Sequence, residues 1–133
     1  MLKKSELIRT LKNKRVAVIG NSPSAKNCDD YDIVCRMNNY VLNEQVGKRT
    51  DVYFFSYHQK VKYDYRMVDI NICIVNPYEI KKHENNIRTL KNVYIERKSE
   101  KDWWAITGEQ PSTGFRALYW LWENNVNFDF FGF

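Results

Sequence analysis

Two short segments, VAVIGNSPS at residues 16–24 and QPSTGFRALYWLW at 110–122, gather the residue types that hold phosphate. In the first, an apolar run ends in Gly20, and Asn21, Ser22 and Ser24 follow where a strand opens into a loop. Glycine there permits a tight turn or a close backbone approach, and the asparagine amide both donates and accepts hydrogen bonds. In the second, Pro111, Ser112, Thr113 and Gly114 precede a helical apolar pattern. Backbone N–H groups and two hydroxyls then converge on a helix N-terminus, where unpaired amides and the helix dipole favour an anion. Each segment also has an ordinary explanation, a glycine turn in one case and a Ser or Thr N-cap in the other. Gly114 weighs against the second, because glycine in a helical turn costs about 1 kcal/mol relative to alanine and is usually kept for close approach. The first segment is not a Walker loop, since no Gly-Lys-Ser/Thr follows, and it is not a GxGxxG fingerprint. Together the two point to a nucleotide or nucleotide-sugar site and leave the reaction open.

Other residues with chemical potential are fewer. CRMNNY at 35–40 places Arg36, Asn38 and Asn39 at the end of a strand, where the arginine meets either a phosphate or an acidic neighbour such as Asp32 or Asp51. His58 and His83 are the only histidines. His83 falls on the polar face of an expected helix, whereas His58 follows a strand on the expected ligand rim and is the one visible candidate for a general base, although a surface histidine is the commoner case. Cys28, Cys35 and Cys73 form no CxxC pair and have no histidine at zinc-ligand spacing, so they read as reduced thiols and no metal site is expected. Trp103 and Trp104 stand beside the PSTG segment, in an expected loop from which they could cover a base or sugar; the other aromatics, including the closing FDFFGF, read as core.

The elements that must position these groups follow from the apolar pattern. Ser5 to Asn13 has Leu7, Ile8 and Leu11 at helical spacing. Strands are expected at Val16 to Ile19, Asp32 to Met37, Asp51 to Ser56, Ile70 to Val75, Val93 to Ile95 and Val126 to Phe131. Helices are expected at Tyr40 to Val46, after Pro77, and from Ser112 to Glu123 with Phe115, Leu118, Tyr119 and Trp122 on one side. Strands alternating with helices predict an α/β, Rossmann-like domain with a mostly parallel sheet and helices on both faces. In such sheets ligands bind beyond the carboxyl ends of the strands, so the loops after Gly20, Met37 and Ser56 should share one rim.

The 133 residues suffice for a single domain, 1–133, and 44% hydrophobic content excludes a disordered chain. No apolar run approaches a membrane span, and the N-terminus lacks the pattern of a secretory signal. The net charge of +5 favours anionic partners in general, but the lysines read as solvated surface rather than a nucleic-acid patch. With the unpaired thiols this predicts a cytoplasmic protein without nucleic-acid partners.

In this order, GNS, RMN, VGKRT and PSTG resemble the large and small sialylmotifs of the sialyltransferases of glycosyltransferase family 29, the large motif covering residues 16 to about 56 and the small motif 111 to 133. The resemblance implies a metal-independent domain that binds CMP-sialic acid, or a related CMP-sugar, as donor substrate with no further cofactor, and transfers the sugar with inversion to a glycan hydroxyl. It implies that Asn21 and Asn38, with Gly20 and Ser22 around them, contact the nucleotide phosphate and ribose, and that Ser112, Thr113 and Gly114 hold the cytidine phosphate and the sugar carboxylate. Val16 and Asn125 stand where the family joins its motifs by a disulfide, which suits a reduced protein outside the Golgi. The family's catalytic histidine and third motif would fall beyond Phe133, which leaves His58 or a partner chain as the expected base. The alternative expectation is a non-catalytic nucleotide-sugar-binding module or truncated remnant. Self-association through the aromatic C-terminus remains open.

Overall fold

The structure is a computed structural model that describes residues 1–55, 69–74, 81, 82, 85, 87, 92–98 and 100–133. Its core is a six-stranded sheet formed by β1 (Val16–Ile19), β2 (Ile33–Met37), β3 (Val52–Phe55), β4 (Ile70–Ile74), β5 (Val93–Glu96) and β6 (Asp129–Phe131). Every neighbouring pair is parallel. Runs such as VAVI and VYFF have no polar alternation because the sheet is covered on both sides, and all four residues of β1 and of β3 are buried.

The strand order is β5-β4-β3-β2-β1-β6. From β1 the chain adds β2 to β5 one after another in one direction, and then returns to lay β6 against the free side of β1. The order therefore reverses between β1 and β6, and their carboxyl ends, at Ile19 and Phe131, stand side by side. In an open parallel sheet this reversal parts the loops on either side and makes the natural ligand crevice.

Two helices cover one face. Leu7 and Leu11 of α1 (Lys4–Leu11) join Ala117, Trp120 and Leu121 of α3 (Thr113–Glu123) over Val16, Val18, Cys35, Met37, Val52, Phe54, Ile72 and Ile74. The Trp120 ring meets Phe54 edge-on at 6.1 Å. On the opposite face, Ala17, Ile19 and Val34 pack with Cys28, and Tyr53, Phe55, Cys73, Val93 and Ile95 pack with Ile87. Residues 81, 82, 85 and 87 are helical, so helical residues lie on both sides of the sheet.

Three local expectations differ from the structure. Residues 40–46 are not a helix: the Asn43 side chain accepts the Val46 N–H at 2.9 Å, and the Asn43 N–H donates to Gly47 O at 3.1 Å. An asparagine carbonyl that offers the backbone a local partner competes with helical pairing. Trp103 and Trp104 do not open a loop, since both belong to α2 (Glu100–Thr107). The face of α3 is also turned from the one expected. Ala117, Trp120 and Leu121 are buried, whereas Phe115 and Trp122 are exposed and stand with Tyr119 as a surface row of rings. The small Ala117 lets the helix approach the sheet, and Trp120 and Leu121 on the same side fill the core there.

Candidate functional site

The loop after β1 is set by an unusually close backbone contact. The Gly20 N–H donates to Phe131 O at 2.8 Å, and the Ser22 N–H donates to Gly132 O at 3.0 Å. A Cβ at Gly20 would stand 2.3 Å from Gly132 O, so only glycine lets the ends of β1 and β6 meet. Beyond this contact the chain turns. The Ser22 hydroxyl lies 2.7 Å from that of Ser24 and accepts the Ser24 N–H at 3.3 Å, which commits it to the turn.

Asn21 ties this loop to the end of β2, its Nδ2 donating to Met37 O at 3.1 Å. Asn38 follows with φ of 47°, a left-handed conformation that asparagine adopts more readily than other non-glycine residues. Its N–H donates to Phe54 O at 3.1 Å, and its carbonyl accepts the Tyr53 hydroxyl at 2.8 Å.

The third side of the rim is the start of α3. Ser112 is its N-cap, with Oγ accepting the Phe115 N–H at 3.2 Å, so this hydroxyl does what any capping serine does. Thr113 and Gly114 open the helix, and a Cβ at Gly114 would stand 2.8 Å from Cε1 of Phe133 and 3.3 Å from Sδ of Met37. The same Phe133 ring approaches Gly20, with Cδ2 3.2 Å from the place of a Cβ there. The two glycine elements, far apart in sequence, thus close on one aromatic ring, and the positive end of an eleven-residue helix stands beside the reversal point of the sheet.

Arg116 holds the approach to this helix, with Nε donating to Pro111 O and Nη2 to Gln110 Oε1, each at 3.1 Å. Its guanidinium lies 5.5 Å from the Trp103 ring centroid. Trp103 is buried and crosses Tyr119 at 5.5 Å, so it supports the helix; Trp104 is exposed.

Of the residues singled out in the sequence, Gly20, Asn21, Asn38 and Gly114 are brought together, and Ser22, Ser112 and Thr113 flank them in turn and cap positions. His58 and His83 lie outside the described residues. Arg36 belongs to the scaffold. It is buried on the face opposite α3, donates to Arg49 O at 2.8 Å and Val46 O at 2.9 Å, and lies 4.0 Å from Asp29 Oδ1. Burial lowers its pKa, and the Asp29 charge opposes that effect. VGKRT is scaffold too: Nη1 of Arg49 donates to the carbonyls of Asp29 and Tyr31 at 2.7 and 2.6 Å, and its Nη2 pairs with Asp51 at 2.7 Å. Burial pushes the Cys28 and Cys35 thiols above their ordinary value, so they stay protonated and are poor nucleophiles.

Sequence reasoning assigned Phe133 to the core, named Met37 only as a strand end on the rim, and passed over Tyr53 and Gly132. The available signal was the Gly-Phe pair directly after the last strand, which must end on the same rim as Gly20 if both strands are parallel and adjacent.

Comparison with models of known protein families, with characterised proteins and with solved structures finds no match to this chain.

Proposed function

We propose that this chain is a sialyltransferase-like domain of glycosyltransferase family 29, Rossmann-like in fold, that binds CMP-sialic acid or a related CMP-sugar and passes the sugar to a glycan hydroxyl. The observation that carries the proposal is the meeting of the two phosphate-type elements, Gly20-Asn21 and Thr113-Gly114, with Asn38 at the reversal point of a parallel sheet. The N-terminus of α3 suits the phosphate of CMP, and it also suits the charge that builds on the leaving phosphate as the glycosidic bond breaks. Asn21 and Asn38 supply side-chain amides for the ribose and phosphate. An inverting transfer requires a base to take the acceptor proton as the hydroxyl attacks the anomeric carbon, and His58 is the residue the sequence offers for it.

A reducing, cytoplasmic setting belongs to the same proposal, supported by Cys28, Cys35 and Cys73 being free thiols. Among the described residues no helix is long and apolar enough to cross a membrane.

Calorimetric titration with CMP tests the reading: saturable binding at micromolar to millimolar concentration is expected, and no heat of binding at millimolar CMP would overturn it. Transfer of sugar from CMP-sialic acid, lost in His58→Ala, separates a transferase from a binding module that shares the same site.

A further inference from the structure

Asn38 reaches its unusual conformation with help from a buried strand residue, Tyr53. Tyr53 is fully buried in β3, stacked on Phe55 at 5.2 Å with 15° between the rings and crossed edge-on by Tyr40 at 5.3 Å. Phe55, two positions along the strand on the same face, fills this layer with a plain phenyl ring. A buried hydroxyl is costly unless it is hydrogen-bonded, and that of Tyr53 donates to the carbonyl of Asn38 at 2.8 Å. The Asn38 peptide is thereby pinned between the N–H bond to Phe54 O and the Tyr53 hydroxyl, directly beside the Met37 carbonyl that accepts from Asn21.

We infer that Tyr53 is a positioning residue, whose buried hydroxyl fixes the left-handed Asn38 peptide and so pre-forms the ligand rim at the end of β2. Its role toward a ligand rests on the CMP-sugar reading; its role toward Asn38 does not. A rim fixed before binding loses less conformational freedom when the ligand arrives.

Two readouts on Tyr53→Phe keep these apart. Amide exchange and the φ-dependent NMR coupling of Asn38 report its geometry without any ligand, and calorimetry with CMP reports binding. Loss of one neutral hydrogen bond corresponds to about a fivefold change. Faster Asn38 exchange with an altered coupling is expected, together with about fivefold weaker CMP binding and no further loss when Tyr53→Phe is added to Asn38→Ala. Unchanged coupling and exchange in Tyr53→Phe would overturn the inference, as would an equal loss of CMP affinity in the Asn38→Ala background. If the wild-type protein does not bind CMP, the functional reading fails and the NMR readouts alone decide the role of Tyr53. Should Tyr53→Phe not fold, Tyr53→Phe/Asn38→Gly decides, because glycine adopts this φ unaided. A folded double variant supports the inference, and an equally unfolded one overturns it.

Discussion

Replacing Gly20 by alanine probes the reversal point directly. The added Cβ would stand 2.3 Å from Gly132 O and 2.9 Å from Gly132 C, both backbone atoms that no rotamer change can remove. The ends of β1 and β6 must then part, which strains the bonds from Gly20 N–H to Phe131 O and from Ser22 N–H to Gly132 O. Overpacking costs about 1–3 kcal/mol and each lost bond about 1 kcal/mol, for a total of about 3–5 kcal/mol. For a chain of this size each kcal/mol lowers Tm by about 4 °C, so Gly20→Ala should melt roughly 12–20 °C below wild type in a circular-dichroism scan. Gly114→Ala is the informative companion. Its Cβ would press on the Phe133 ring and the Met37 sulfur, both side-chain ends that can swing aside, while the helix gains about 1 kcal/mol from alanine. Its Tm should stay within a few degrees of wild type while CMP binding weakens, because the ring at the rim has moved. A Gly20→Ala protein that melts within about 3 °C of wild type, or a Gly114→Ala protein as destabilised as Gly20→Ala, refutes this reasoning.

Three further outcomes are expected. Arg49→Lys cannot reproduce the fork to Asp29, Tyr31 and Asp51, so urea unfolding should show a loss of about 2–3 kcal/mol, with CMP affinity unchanged because none of these bonds reaches the rim. For Asp29, burial alone would raise the pKa, but N–H donors from Lys48 and Arg49 and the charge of Arg36 outweigh it and hold the carboxyl below its ordinary 3.8. Its contribution is therefore complete above that value and lost as pH falls through the lower folded value. The stability gap between wild type and Asp29→Asn should be wide at neutral pH and close in acid, and a gap independent of pH contradicts this. Trp120→Ala should cost about 3–5 kcal/mol in the core and Trp122→Ala less than about 0.5 kcal/mol on the surface; equal losses in urea melts would reject the orientation of α3.

Most of the sheet was legible because strands covered on both faces are largely apolar, with Arg36 and Asn71 as buried exceptions. VAVI was expected at its observed bounds, and DVYFFS and INICIV contain β3 and β4. What misled was local competition and residue size. Asn43 diverts its neighbours from a helix through one side-chain oxygen, a contact that apolar spacing does not register. On α3 the large aromatics drew the expected core face, yet Ala117 and Leu121 with Trp120 face the sheet, and Phe115, Tyr119 and Trp122 pack on one another instead. The strand order was not legible at all, because nothing in the spacing of β6 says which edge of the sheet it will join.

The glycines of the candidate site make the close approaches expected of them, but toward other parts of the chain. Gly20 is expected to permit a tight turn or a close backbone approach, and its missing Cβ is indeed taken up by the Gly132 carbonyl, while that of Gly114 is taken up by the Phe133 ring. The glycines thus mark where chain crosses chain. Two of the hydroxyls are likewise committed, Ser22 to its turn and Ser112 to its cap. On the proposed reading, an anion at this rim would be met chiefly by the backbone at the start of α3, with the amides of Asn21 and Asn38 beside it. The latter depend on the bonds that fix them: Asn21 to Met37, and Asn38 to Phe54 and Tyr53. A glycine-and-serine motif can point to such a rim from sequence, but the groups proposed to meet a ligand there are set by tertiary bonds the motif does not contain.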